Sequence, residues 1–183
     1  MNFKKTILLL LLSAPLTSWS QSDLTPNSRP AVGSEMQKPH LGLRLGVAEP
    51  EGELNSGIQI AVEYGLQFYV PYSLAVEVGH EAYDEAGFDF NRTSVLMKGN
   101  YNFGGDIPVI KYSYVGLGLG LAWEDDSIND GLAALIVPQV GFDVPINGFL
   151  NDRISLGANV GYTFTTRGTP DVFAASGVVK YWF

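Results

Sequence analysis

The chain has 183 residues, a length suited to one domain. It carries no cysteine, which excludes a disulfide scaffold and a cysteine-linked lipid anchor. With 19 acidic against 11 basic residues and a net charge of −8, it is also the wrong sign for nucleic-acid binding.

The first 20 residues read as a secretory signal peptide. Lys4 and Lys5 give a positive start, an apolar run covers Ile7 to Leu12, Pro15 interrupts it, and Ser18-Trp19-Ser20 offers a small-x-small cleavage site. The apolar run is too short for a spanning helix, which argues against a membrane-anchoring N-terminus. Cleavage would remove two lysines and leave the remainder still more acidic. Residues 21–39 are rich in Ser, Pro, Asn and Gln without periodicity and read as a flexible leader.

From His40 the pattern changes to period-two alternation, the mark of strands with two unlike faces. The first predicted strand, about 40–48, places Leu41, Leu43, Leu45 and Val47 on one face. The second, about 57–69, carries Ile58, Ile60, Val62, Tyr64, Leu66 and Phe68. The third, about 73–83, has Leu74, Val76 and Val78, and the fourth, about 92–103, has Val95, Met97, Tyr101 and Phe103. The fifth, about 112–123, presents Val115, Leu117, Leu119 and Leu121, and the sixth, about 132–144, presents Ile136, Val140, Phe142 and Val144. The seventh, about 153–164, carries Ile154, Leu156, Val160, Tyr162 and Phe164. The eighth, about 172–183, carries Phe173, Val179, Tyr181 and Phe183.

Each segment meets the ~9–11 residues that a tilted strand needs to cross a bilayer, whereas none has the ~18 consecutive apolar residues of a membrane helix. The spacing predicts an all-β fold over 40–183: an eight-stranded antiparallel up-and-down transmembrane β-barrel. Closure satisfies every backbone group, as lipid requires, and an even strand number puts both ends of the barrel chain on one side.

Aromatic residues gather at the strand ends. Phe68, Phe103, Phe142, Tyr181 and Phe183 form one expected girdle, and Trp123, Phe164 and Phe173 the other. General β-propensity accounts for aromatics in strands, but not for their placement at both ends. The connections after strands one, three, five and seven contain Glu49-Pro50-Glu51-Gly52-Glu53, Asp84-Glu85-Ala86-Gly87, Glu124-Asp125-Asp126 and Arg167-Gly168-Thr169-Pro170, and are assigned to the cell exterior. The others, with Val70-Pro71-Tyr72, Gly104-Gly105-Asp106 and Pro145-Ile146-Asn147-Gly148, are assigned as periplasmic turns. The exterior loops are short, which limits the surface for a partner.

The opposite parity carries Arg44, Glu63, Glu77, Glu81, Lys98, Asp143, Arg153 and Lys180. Opposite residues of an antiparallel pair have a constant index sum. Ala48 against Gln59 would set Arg44 opposite Glu63, Tyr83 against Arg92 would set Glu77 opposite Lys98, and a turn from Val144 to Asp152 would set Asp143 opposite Arg153. Glu63 and Glu77 would then lie side by side between Arg44 and Lys98, with Lys180 brought toward Arg44 by closure. Gly116, Gly118 and Gly120 face inward and leave room for long chains opposite. Such charges are tolerated only if paired or hydrated. The network reads either as a salt-bridged plug or gate, or as a packed polar core. The core reading fits better, because ~8-stranded barrels are just wide enough for side chains.

A soluble barrel would have its apolar face inside, and periodicity alone does not separate the two. The end-placed aromatics, the balanced charges of the polar face and the final strand favour a membrane. That strand reads Gly177-Val178-Val179-Lys180-Tyr181-Trp182-Phe183. Alternating apolar residues with a terminal Phe resemble the C-terminal signal of outer-membrane barrels, and together with the signal peptide and eight strands the chain resembles the small outer-membrane β-barrel superfamily of the OmpA transmembrane domain, OmpX and OmpW. The resemblance implies a monomer with a periplasmic N-terminus and four exterior loops, surrounded by outer-membrane lipid and lipopolysaccharide. It also implies recognition by the barrel-assembly machinery of a signal at Gly177, Val179, Tyr181 and Phe183. The charged interior is closer to OmpA than to OmpW, whose lumen is more apolar. OmpA's peptidoglycan-binding domain has no counterpart here, so a cell-wall tether is not expected, and the short loops depart from OmpX and weaken an adhesin role.

Little in the sequence points to catalysis. His40 begins the first strand, and His80 shares parity with Val76 and Val78 and should face lipid. His80 and Glu81 are strand neighbours and so face opposite sides. Outer-membrane lipid A deacylases use a His and a Ser two residues apart, but here the position after that interval is Ala82. Gly116-Leu117-Gly118-Leu119-Gly120 precedes no helix and is not a nucleotide motif. Glu124, Asp125, Asp126 and Asp130 do not have the spacing of a calcium loop and read as a solvated loop. Asn91-Arg92-Thr93 fits a glycosylation pattern that belongs to eukaryotic secretion. No enzyme, cofactor or metal site is expected. The expected role is in envelope structure or surface interaction, with a narrow pore for small solutes as the alternative and a soluble exported ligand-binding barrel as a further one.

Overall fold

The computed structural model describes residues 38–52, 55–85, 88–104, 107–126, 131–146, 150, 153–167 and 170–183. The expected signal peptide, and the expected leader up to residue 37, lie outside the described residues. Eight strands follow in order: β1 (His40–Pro50), β2 (Gly57–Leu66), β3 (Tyr72–Glu85), β4 (Phe88–Asn102), β5 (Ser113–Asp126), β6 (Gly131–Pro145), β7 (Ile154–Thr165) and β8 (Val172–Trp182). Each pairs antiparallel with its neighbour in sequence, and β8 pairs with β1, which closes the barrel. A short helix, α1 (Pro108–Lys111), sits between β4 and β5, with proline at its start where a missing N–H costs nothing. It was not expected from the sequence. No helix among the described residues is long and apolar enough to cross a membrane.

The barrel is apolar outside and polar inside. Leu43 and Leu119 are 50% and 51% exposed on the outer wall, whereas Arg44 and Lys98, next to or paired beside them in sequence parity, are 7% and 4% exposed in the lumen. Alternation causes this directly, because successive strand residues point to opposite faces.

Following Cα partners from His40 to Gly65, Ala75, Lys98, Gly118 and Val137, carrying the β6–β7 register across its gap to Thr163, and on to Val172 returns to β1 at Pro50 rather than at His40. The strands are therefore staggered and tilted, which fixes the narrow width of the lumen. Glycines admit the close approach that this width imposes. A Cβ on Gly120 would strike the Val95 carbonyl, and one on Gly46 would strike the Ala175 carbonyl. One proline interrupts the wall. Registered β6–β7 pairs run through Leu135 and Ile136 and resume at Gln139, with Pro138 in the gap. A proline has no N–H to contribute to such a ladder.

The aromatic girdle at the end bearing the C-terminus is fuller than the sequence suggested. Tyr69, Tyr72 and Tyr101 join Phe103, Phe142 and Phe183 as exposed rings there, with Tyr72 edge-on to Tyr101 at 5.6 Å. At the opposite end Trp123 and Phe173 are exposed, and Tyr162 packs against Phe164 at 4.8 Å. The ring closes beside the chain terminus, where the Phe183 N–H donates to the Pro39 carbonyl at 3.1 Å.

Candidate functional site

The lumen holds two charged tiers. The first is built on the pairing of β2 with β3, which sets Glu63 directly opposite Glu77. Two facing carboxylates repel. Lys98, diagonal to Glu77 on β4, resolves this by donating to Glu63 Oε2 at 2.6 Å and to Glu77 Oε2 at 2.9 Å. Gly118 stands opposite Lys98 across β4–β5, leaving lumen volume for the lysine stem. Arg44 pairs with the other oxygen of Glu77 and reaches Asn159 Oδ1 at 3.2 Å. Lys180 pairs with Asp143 at 2.8 Å and with Glu63 at 3.3 Å. His40 shares a 2.8 Å hydrogen bond with Glu63 and stacks 4.5 Å from Trp182. An amide chain braces this tier: Gln139 donates to Asn100 at 2.8 Å, and Asn159 donates to Gln139 at 3.2 Å and to the Tyr114 hydroxyl at 3.1 Å.

The second tier lies toward the opposite end. Arg92, 1% exposed, pairs with Glu124 at 2.9 Å and with Glu81 at 3.5 Å, and stacks over Phe90 at 5.4 Å. Glu81 also accepts from Tyr83 at 2.7 Å and from Gln59 at 2.5 Å. Leu96, Ala122, Leu135 and Val137 form an apolar cluster between the tiers, and Ala48, Tyr83, Phe90, Val172 and Ala174 form another at the far end. A cavity of about 20 Å³ lies in the middle of the barrel, between the tiers. A wider hollow of about 190 Å³ at the C-terminal end is bounded by Tyr112, Asn102, Asp143 and Lys180.

Several expectations need correction. Arg44 faces Ala61 and Glu63 faces Gly42, so this hairpin is displaced by two residues from the expected register. Glu77 faces Leu96 rather than Lys98, again by two, because β3 and β4 run on to Glu85 and Phe88. Asp143 faces Gly157, a displacement of four, because β6 continues to Pro145 and β7 begins only at Ile154. Arg153 consequently sits in the turn before β7. It is exposed, bonds the Tyr181 hydroxyl at 3.1 Å, and takes no part in the lumen network. Closure does bring Lys180 beside Arg44, diagonal to it across β1–β8, but its ion pairs are with Glu63 and Asp143, while that of Arg44 is with Glu77. Phe68, Phe103 and Phe142 lie in the same end region as expected, and Gly177, Val179, Tyr181 and Phe183 occupy β8 and the residue after it.

The sequence places Glu124 in an exterior acidic loop, and the structure corrects this. Glu124 lies within β5 and is buried in the lumen, while Asp125 faces outward, so the two cannot share one ion. Asp130 lies outside the described residues. The second tier was legible by parity: Arg92 shares that of Lys98, and Glu124 that of Gly118. His40 likewise shares parity with Arg44. His80 faces outward and shares a 3.0 Å hydrogen bond with Thr93. Its cross-strand neighbours are Ile60 and Thr93, neither of them a carboxylate.

The sequence matches no protein-family model and no curated protein. Among solved structures, the chain is similar to Neisserial surface protein A, with a TM-score of 0.55 and 16% identity over 81% of this chain and 99% of that one. It is also similar to Ail, the attachment invasion locus protein of Yersinia pestis, with a TM-score of 0.52 and 12% identity over 81% of this chain and 98% of that one. At such identities the likeness is one of architecture. A closed eight-stranded ring, an apolar outer wall between aromatic rims and this likeness together give the chain the fold of the small eight-stranded outer-membrane β-barrels.

Proposed function

We propose that the chain is a non-enzymatic, multi-pass resident of the outer membrane that contributes to envelope structure or surface interaction and whose lumen is sealed to solutes. The observation that carries this reading is the packed middle of the lumen: ion-paired side chains fill two tiers, an apolar cluster lies between them, and the cavity there measures about 20 Å³. A hydrated ion would have to displace several buried charge pairs at once, each costly to break. The apolar wall supports contact with outer-membrane lipid, including lipopolysaccharide, as a monomer.

Reconstitution in planar bilayers tests the sealed lumen. The wild-type barrel is expected to give no conductance steps, and neither Glu77→Gln nor Lys98→Met should open it. Steps from wild type, or steps that appear on neutralisation, would favour the narrow-pore reading instead.

The closing strand β8 supports recognition by the barrel-assembly machinery, since Val179, Tyr181 and Phe183 share its outward parity and form an apolar row at the closing seam. Deleting Phe183 should slow assembly several-fold, scored as heat-modifiable migration in the outer-membrane fraction. Insertion at the wild-type rate would remove this role, and a soluble periplasmic wild-type product would remove membrane residence itself.

A further inference from the structure

Two buried side-chain atoms from adjacent strands have no protein partner among the described residues: Arg44 Nε, a donor, and Gln59 Oε1, an acceptor. Their residues are diagonal neighbours across β1–β2, since Arg44 faces Ala61 and Gln59 faces Gly46. Both line the same 20 Å³ cavity in the middle of the barrel, to which Ser94 and Thr163 add hydroxyl groups. A single water needs about 10–15 Å³ and two to four polar partners, so the cavity has the size and the lining for one. Leaving a buried polar group unmatched in a low-dielectric interior is costly, which gives such a water a reason to stay.

We propose that this cavity is a hydration site for one ordered water that accepts from Arg44 Nε and donates to Gln59 Oε1. The site lies at a break in a chain of contacts among the described residues. On one side, His40 bonds Glu63, Lys98 joins Glu63 to Glu77, and Glu77 pairs with Arg44. On the other, Gln59 donates to Glu81, which pairs with Arg92, which pairs with Glu124. The water therefore couples the two charged tiers past the apolar cluster of Leu96, Leu135 and Val137. It is a built-in component of the lumen, held between polar groups of two adjacent strands.

The test uses the full barrel, folded in detergent micelles and labelled with nitrogen-15, and probes water itself. Magnetisation transfer from water to the Arg44 Nε–H should give a cross-peak with the slow-tumbling sign of a long-lived bound molecule, assigned by its absence in Arg44→Lys. Gln59→Leu removes the acceptor and fills the space. In that variant the cross-peak should disappear while migration of the folded barrel is unchanged. The proposal is overturned if the wild-type Nε–H shows no such transfer, or if the cross-peak survives Gln59→Leu at full intensity. If Gln59→Leu fails to fold, Gln59→Met serves in its place, and the wild-type cross-peak alone still decides whether the water is there.

Discussion

Lys98→Met is expected to cost about 3 kcal/mol of barrel stability, near the lower end of the ~3–5 kcal/mol typical of breaking a buried ion pair. Lys98 is the cation that separates two carboxylates facing each other across β2–β3. Its removal leaves Glu63 and Glu77 adjacent and buried. The loss is not larger because each keeps another partner, Glu63 with Lys180 and His40, and Glu77 with Arg44. The same reasoning predicts a strongly non-additive double variant. Lys98→Met with Glu63→Met leaves Glu77 paired to Arg44 and Lys180 paired to Asp143, so much of the lost stability should return. Urea titration of the folded, heat-modifiable form in micelles measures both. A loss below about 1 kcal/mol for the single variant, the range of exposed pairs, would mean that water screens this tier.

Leu119→Arg should destabilise the barrel in phospholipid vesicles by about 2–4 kcal/mol, the penalty for an arginine facing lipid near the middle of the bilayer. Leu119 is 51% exposed on the outer wall, and its cross-strand neighbours Met97 and Ile136 are exposed apolar residues as well. On a water-facing wall the same substitution would change stability by only about 0.5 kcal/mol or less. Equilibrium folding into vesicles therefore separates lipid from water as the neighbour of this wall.

How much of this was legible in the sequence follows from the geometry of strands. A strand shows its two faces through alternation, so Leu43 against Arg44 and Met97 against Lys98 already assign outside and inside. The register is harder to read, because it depends on where each turn closes. The three expected hairpins were displaced by two, two and four residues, always an even number. An odd slip would have turned every side chain to the wrong face. Parity therefore keeps Arg44, Glu63, Glu77 and Lys98 on one face, while their cross-strand partners differ from the expected ones. Arg153 was misplaced because it lies in a turn, where parity no longer applies. Glu124 is hidden for a related reason, since the acidic run Glu124-Asp125-Asp126 masks the true length of β5, whereas Arg92 opens the expected fourth strand with the parity of Lys98 but has no expected partner. Neutral members such as Asn159 and Gln139 carry no charge pattern that a sequence reading would single out.

Pro138 has a mechanical consequence for the finished barrel. Every other meridian of the wall is stitched by a regular ladder, but along β6–β7 the stitching lapses beside this residue. A stretch with fewer cross-strand bonds opens at a lower cost than its neighbours. Local opening should therefore gather there and spare the far side, where Glu63, Glu77 and Lys98 brace the cylinder from within.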